Sequence, residues 1–536
     1  QDLSQFNLDD VEITDSYYLA AQQSDIEFLK KFDNDRMLSR FRETAGVDTK
    51  GIKPYKGWED SLLGGHSVGH YLSAVAQAVR AVGDEELKEK SVALISGLKE
   101  CQDELGTGFI FGAQIKDPQN VERQFDVIEG KITNGSNAEE NKKNETWVPW
   151  YNMHKMLTGL VDTYKYTGNE EALKVAKGLG DWIYNRVSKW SNSTNTKVLW
   201  TEYGGMNDCL YELYYYTEDE RYLESAHKFD QITIFEDVAS GRADILNQKH
   251  ANTTIPEILG CARAYEVTGE EKWLAIVNSY WKCAVTDRGS YVTGGQTQGE
   301  IWTPMKKLKA RLGDKNQEHC TVYNMVRLAE FLFRHTGDPR YMHYIEYNVQ
   351  NGIFAQSYWR GESHDGKPGV GLLTYFLPMK APGRKDWAGE MDSFFCCHGT
   401  MVQANAALNR CMYYQEEKDL FVTQYANSET RFEIEGREIC LRQRQDYMNG
   451  SLQSSSVNDA RQTVNAIAGA YANRPDFRKY VFTLEVSEET AFSLHLRVPD
   501  WITGEARVCV NGEELLTTQD TDHFVKKDRM WKEGDR

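Results

Sequence analysis

The sequence predicts a mainly α protein with a β domain, in the form of an (α/α)6 barrel followed by a β-sandwich. Three observations carry this expectation. From about Ser24 to Tyr414 most segments place apolar residues at helical spacing, as in residues 71–82 and 321–333. A weak repeat punctuates these helices, in Tyr166-Thr-Gly-Asn169, Tyr216-Thr-Glu-Asp219, Val267-Thr-Gly-Glu270 and His335-Thr-Gly-Asp338. After Tyr414 the texture becomes alternating and strand-like.

In chain order, the first element is a strand-like stretch around Val11-Glu-Ile13. In each repeat the Gly lets one helix stop in the left-handed conformation, and the acidic residue favours the next helix start. Second helices are expected from near Ala172, Tyr222, Trp273 and Tyr341, and Gly83-Asp84 reads as an earlier copy, set apart by the polar insertion 134–144. Copies lie roughly 50 to 70 residues apart, which suits five or six helical hairpins in series. Such a series closes into an α/α barrel, with an α-solenoid as the alternative. The last helix is expected at residues 401–414. Beyond it, residues 421–425, 480–486 and 492–498 read as strands, and Val510-Asn-Gly-Glu513 as a hairpin turn. We therefore expect residues 1–20 to carry a strand segment joining a β-sandwich, 21–414 to form the barrel, and 415–536 to form a C-terminally truncated sandwich. The start at Gln1 and the end at Arg536, within a strand-and-turn pattern, suggest missing sequence at both ends. A removed export signal, and hence a periplasmic or extracellular protein, is the expectation.

Composition narrows the function classes. Of 536 residues 40% are hydrophobic and 26% charged, so a sizeable core can form. No apolar run approaches the ~18 residues of a membrane span, so membrane insertion is not expected. Lys and Arg number 62 against 80 acidic residues, a net charge of −18 without a concentrated basic patch, which argues against a nucleic-acid partner. The 13 Trp and 29 Tyr serve mostly for packing, yet they also suit a sugar-binding cleft, where ring faces stack and polar tips hydrogen-bond. Ten cysteines are too sparse for a disulfide scaffold. Cys101, Cys209, Cys261, Cys283 and Cys411 in helical stretches, and Cys440 and Cys509 in strand-like ones, read as small buried hydrophobes.

The remaining three sit differently. Glu318-His-Cys320 precedes a helix, and Cys396-Cys-His-Gly-Thr400 precedes another. Zinc takes four ligands from thiolate, imidazole and carboxylate, and the two segments supply enough of them. A loop-to-helix junction favours thiolate over thiol. Glu318, Cys320, Cys396 and Cys397 form one candidate set, in which His319 or His398 could replace any member. Tyr291-Val-Thr-Gly-Gly-Gln-Thr-Gln-Gly-Glu300 is a Gly-rich stretch ending in a carboxylate. It lacks the Gly-Lys-Ser/Thr ending of a phosphate loop and reads either as a solvated loop or as a proton donor held over a cleft. His66, His70, His154 and His250 each open a helix beside Asn, Gly or aromatic residues. Gly65-His-Ser-Val-Gly69 matches the serine-hydrolase elbow only by chance, because no buried strand leads into it.

Taken together, residues 57–74, Tyr203-Gly-Gly-Met-Asn207, His250-Ala-Asn-Thr253, Gly294 to Glu300, Glu318-x-Cys320 and Cys396-Cys397 resemble the β-L-arabinofuranosidases of glycoside hydrolase families 127 and 146. The resemblance runs from about residue 3 to the C-terminus and implies the same (α/α)6 barrel with β-sandwich domains. It further implies a zinc ion (Zn2+) held by Glu318, Cys320, Cys396 and Cys397, with Cys396 as nucleophile and Glu300 as general acid/base. Glu300 would then need a raised pKa to start protonated. His70, His154, His250 and Tyr375 match positions that would line the substrate pocket. The implied function is retaining exo-hydrolysis that frees terminal β-L-arabinofuranose from plant-derived glycans. The alternatives are the same chemistry on another sugar, or a non-catalytic carbohydrate-binding protein. A polysaccharide lyase is a weaker third. Linkage, aglycone and oligomeric state are not legible in the sequence.

Overall fold

The computed structural model describes residues 2–201, 204–359, 371–389, 391, 394–447, 450–451 and 478–536. Tyr203, part of one motif above, lies outside them. The chain is mostly helical with a β-rich C-terminal region.

Twelve helices matter for the site. They are α1 (Ser16–Lys30), α2 (His66–Val82), α3 (Glu85–Leu105), α4 (Pro149–Thr167), α5 (Glu170–Val187), α6 (Met206–Thr217), α7 (Glu220–Lys228), α8 (Ala251–Thr268), α9 (Glu271–Trp281), α10 (His319–Thr336), α11 (Pro339–Tyr347) and α12 (Cys396–Ala406). The repeat in the sequence marks the corners of these hairpins. Gly83, Gly168, Gly269 and Gly337 end α2, α4, α8 and α10 at φ between 67° and 71°, and Glu218 ends α6 in the same region at 55°. The next residue then caps the following helix: Asp84, Asn169, Asp219 and Asp338 each accept a backbone N–H with the side chain. Glu270 makes no such bond. Because the cap itself starts the helix, the second helices begin two residues before the first apolar side chain that signals them.

The even-numbered helices touch in a closed cycle, α2 to α4, α6, α8, α10, α12 and back to α2. Each odd-numbered helix from α3 to α11 packs on the even one before it, and α1 packs on α12 and α2. One apolar core runs through all of them. Paired charges lie between the even helices, Arg327 with Asp208 and Lys165 with Glu212, and Arg410, just beyond α12, pairs with Glu330 of α10. Buried charges need such partners.

The helical run ends sooner than the sequence suggests. Helix α12 spans Cys396–Ala406, and strand β7 (Tyr413–Glu416) already occupies the end of the expected helix 401–414. Cys411 sits in the turn between them at φ 66°, not in a helix, and its thiol meets Glu330 Oε1 at 2.6 Å. Around it β1 (Ser4–Gln5), β7, β8 (Asp419–Val422), β13 (Thr490–Arg497) and β16 (Phe524–Trp531) form one sheet, with β8 parallel to β13. A second sheet joins β2 (Val11–Ile13), β9 (Ser428–Ile434), β10 (Arg437–Tyr447) and β12 (Tyr480–Val486), with β11 (Gly450–Ser451) turning back on β10. Val11, Ile13, Phe432, Leu441 and Leu484 from the second sheet share a buried cluster with Leu420, Phe492, Leu494 and Trp531 from the first. The hairpin of β14 (Ala506–Val510) and β15 (Glu513–Thr518) turns at Asn511 and Gly512, both at positive φ. Among the ten cysteines none is disulfide-bonded, and Cys509 is exposed rather than buried, because its side of β14 faces away from the core. No helix of the described residues is long and apolar enough to cross a membrane.

Candidate active site

The N-terminal turns of the even helices meet at one end of the cycle, and the polar residues singled out in the sequence gather there. Cys320 is the second residue of α10, and Cys396 and Cys397 are the first two of α12. Glu318 caps α10. Their four ligand atoms all lie within 4.8 Å of one another, and all four residues are buried. Cys320 Sγ is 3.3 Å from Cys397 Sγ, and Cys396 Sγ is 3.8 Å from Cys397 Sγ. Glu318 Oε1 is 3.9 Å from both Cys396 Sγ and Cys397 Sγ. Four ligands around a tetrahedral zinc, with Zn–S near 2.3 Å, would hold sulfurs about 3.8 Å apart; the Cys396–Cys397 pair already has that spacing, and the Cys320–Cys397 pair would open by about 0.5 Å to accept such an ion.

His319 and His398 do not take part in this set. His319 Nδ1 meets Thr400 Oγ1 at 2.8 Å, and His398 Nδ1 accepts from the Phe395 N–H at 3.2 Å. Burial lowers their pKa values to about 3 and about 4, which keeps both rings neutral. The thiols divide unequally. Burial pushes Cys320 and Cys397 well above the usual thiol range, whereas hydrogen bonds from Cys320, Cys397 and Tyr375 hold Cys396 well below it. Burial and the charge on Cys396 raise Glu318 well above the carboxylate range. A dication among these groups reverses that logic and holds all four as anions.

Glu300 reaches the cluster from another direction. It sits in the two-residue turn of a short hairpin, β3 (Thr297–Gln298) with β4 (Ile301–Trp302). Gly299 beside it takes φ 61°, which a tight turn requires. The hairpin is pinned to the start of α8: the Ala251 N–H donates to the Glu300 carbonyl at 2.8 Å, and Trp302 Nε1 donates to Thr254 Oγ1 at 3.2 Å. Tyr375 follows β6 (Gly371–Leu373), which pairs with β5 (Ser357–Trp359). The His319 N–H donates to the Tyr375 carbonyl, which ties Tyr375 to the Glu318 segment. Its hydroxyl donates to Glu300 Oε1 at 2.5 Å and lies 3.2 Å from Cys396 Sγ. The carboxylate and the sulfur are therefore less than about 6 Å apart, close to the separation of paired groups in retaining glycosidases.

His250 caps α8, and its Nδ1 accepts from the Thr253 N–H at 3.1 Å. The ring proton is then on Nε2, which faces Glu300 Oε2 at 3.4 Å. That hydrogen bond, with the one from Tyr375, lowers the Glu300 pKa. The sequence had implied a raised value; in the free site the two donors outweigh partial burial. His70 lies against Gly399, where an added Cβ would come within 2.1 Å of its ring, and its Nδ1 accepts from Gln403 Nε2 at 3.0 Å. His154 Nδ1 accepts from the Gly205 N–H at 3.2 Å. Burial lowers both rings well below the usual imidazole range. Their hydrogen bonds go to Gln403 and Gly205 rather than to Glu300 or Cys396. The rings stand on the neighbouring α2 and α4, and His70 Nε2 has no partner among the described residues.

Several neighbours carried no signal in the sequence. Trp58 packs on His66 and Phe395, and Phe395 on Tyr375, so an aromatic wall runs beside the carboxylate. Lys155 is buried next to His154, held down by desolvation. Ser67 of the elbow-like motif lies inside the first turn of α2, and no strand precedes it.

Comparison with known proteins identifies the family. Residues 10–410 match the model of the β-L-arabinofuranosidase GH127 catalytic domain, and residues 419–536 that of the GH127 middle domain. The chain is similar to the solved structure of a GH127 β-arabinofuranosidase at 17% identity, covering 99% of this chain and 79% of the other with a TM-score of 0.67. It is similar also to a GH127 β-L-arabinofuranosidase from Geobacillus stearothermophilus T6, at 18% identity over 98% and 80% of the two chains and a TM-score of 0.67. At such identities the likeness is one of fold. No curated protein matches the chain. The two family matches cover nearly the whole sequence, and the chain belongs to the GH127 β-L-arabinofuranosidase family and is a glycoside hydrolase.

Proposed function

We propose that this protein removes terminal β-L-arabinofuranose from plant-derived glycans with retention of configuration, using Cys396 as nucleophile and Glu300 as general acid/base. The observation that carries this reading is the Tyr375 hydroxyl, which touches both the Glu300 carboxylate and the Cys396 sulfur at the edge of the buried thiol cluster. Zinc held by Glu318, Cys320, Cys396 and Cys397 would, when bound, keep the sulfurs ionised and in place at neutral pH.

In the first step the Cys396 sulfur bonds to the anomeric carbon as the glycosidic C–O bond breaks, and Glu300 gives its proton to the departing oxygen. In the second, Glu300 takes a proton from water, whose oxygen displaces the sulfur and frees the sugar. His250 Nε2 donates a hydrogen bond to Glu300 Oε2 and orients it, and a sugar ring that expels water from the pocket disfavours the bare carboxylate. His70 and His154, neutral and buried, offer hydrogen bonds to sugar hydroxyls without adding charge. A neutral glycan needs no basic surface, in keeping with a net charge of −18.

The architecture in this reading is an (α/α)6 barrel followed by a β-sandwich. The closed cycle of six helices favours the barrel over a solenoid, whose first and last repeats do not touch. The shared cluster between the two sheets favours the sandwich, with residues 1–20 contributing β1 and β2 to it. The division between the parts falls after Ala406 and before Tyr413, slightly ahead of residue 414.

The test combines metal analysis with product configuration. Purified protein should carry about one zinc per chain, and an aryl β-L-arabinofuranoside should release β-L-arabinofuranose first, as seen by proton NMR before mutarotation. Initial release of the α anomer would overturn the double displacement. Zinc without release would move the same chemistry to another sugar.

A further inference from the structure

Thr400 is the fifth residue of α12 and is buried. Its Oγ1 is 2.8 Å from His319 Nδ1, 3.4 Å from Cys320 Sγ and 3.3 Å from the Cys397 carbonyl. His319 stands between Glu318 and Cys320 in the chain, is fully buried, and its Nε2 has no partner among the described residues. A hydroxyl carries a single proton, and an ionised sulfur can only accept one. With Cys320 as thiolate, charge-assisted bonding draws the Thr400 proton to sulfur rather than to the carbonyl. The Thr400 oxygen then has no proton left for the ring and accepts one from His319 Nδ1.

We propose that His319 and Thr400 form a two-link hydrogen-bond relay ending on the Cys320 sulfur, which fixes Cys320 as a non-reacting metal ligand and leaves Cys396 as the reactive sulfur. The inference rests on the zinc–thiolate reading above. A hydrogen bond to a thiolate withdraws electron density and lowers its nucleophilicity. In the free site Cys396 accepts from its two neighbouring thiols and from Tyr375; once those thiols are ionised only the Tyr375 hydroxyl is left, 3.2 Å away, and it has Glu300 as the closer acceptor at 2.5 Å. Thr400 and His319 are positioning residues, since both act through the ligand. The arrangement also explains why a polar ring sits buried between two ligands without ligating.

The test compares zinc-loaded wild type with Thr400→Val, which keeps the shape and loses the hydroxyl, and Thr400→Ser, which keeps the hydroxyl. Zinc release into excess chromogenic chelator is followed, and the near-ultraviolet thiolate-to-metal band is recorded after cobalt substitution. Thr400→Val should release zinc about 10- to 100-fold faster, as expected on losing an outer hydrogen bond. Its cobalt band should move to longer wavelength, and Thr400→Ser should match wild type in both. His319→Leu, which removes the donor behind Thr400, should shift both readouts in the same direction, and it carries the test if circular dichroism shows Thr400→Val to be unfolded. Wild-type release rates and an unmoved band in folded variants would overturn the relay while leaving the zinc reading intact. A wild type that binds no zinc would overturn both.

Discussion

At the scale of single residues, Glu300 is governed by what donates to it. The His250 hydrogen bond is the first cause of its lowered pKa, ahead of the Tyr375 hydroxyl. A general acid works only while protonated, so kcat/KM falls as pH rises through this pKa in the free enzyme. Replacing His250 with Ala removes the largest lowering influence, and the falling limb should move to higher pH while kcat drops roughly 10- to 100-fold for want of the hydrogen bond that orients the carboxyl group. A pH profile of kcat/KM checks this, and a limb that stays in place or moves to lower pH would contradict it. The sequence spoke clearly about some residues and not others. Cysteines and a carboxylate at helix starts suggest metal chemistry by type, and the structure brings the ligand atoms of Glu318, Cys320, Cys396 and Cys397 within 4.8 Å of one another. His319 and His398 had equal standing by type, yet the direction of each side chain decides, and spacing does not encode it. Thr400 resembled an ordinary helix-start residue because its partners, His319 and Cys320, are some 80 positions away.

At the scale of elements, the site depends on how closely α2 and α12 approach. Gly399 permits this, because a Cβ there would lie 2.1 Å from the His70 ring. Gly399→Ala should therefore force the helices apart or turn the ring, at about 1–3 kcal/mol. It should also disturb Cys396 and Cys397, one turn earlier on α12. Thermal unfolding and zinc content measure the two effects, and an unchanged Tm with full zinc would contradict the packing argument. The hairpin corners were legible because Gly-Asp and Gly-Asn act locally: the left-handed stop and the side-chain cap need only neighbouring residues. The end of α12 was not legible. Residues 407–412 are apolar enough to continue a helix, but Leu408 and Met412 are buried in the cluster between the two sheets, and Cys411 turns the chain at positive φ into β7.

At the scale of the molecule, six helix starts converge from residues 66 to 396, and Glu300 and Tyr375 arrive on hairpins between them. Local pattern reveals the helices and the strands, while the order in which they close depends on contacts hundreds of residues apart, such as α2 with α12. The same long-range closure sets the Glu300 carboxylate beside the Cys396 sulfur, on which the whole account turns. The most direct measurement uses Glu300→Gln with an aryl β-L-arabinofuranoside bearing a good leaving group. Such a leaving group departs without an acid, and the missing base slows the attack of water, so the intermediate should accumulate. Mass spectrometry of the quenched, digested protein should then find one pentosyl group on the Cys396 sulfur. A pentosyl group on Glu318, or aryl release with every peptide unmodified, would contradict a cysteine nucleophile.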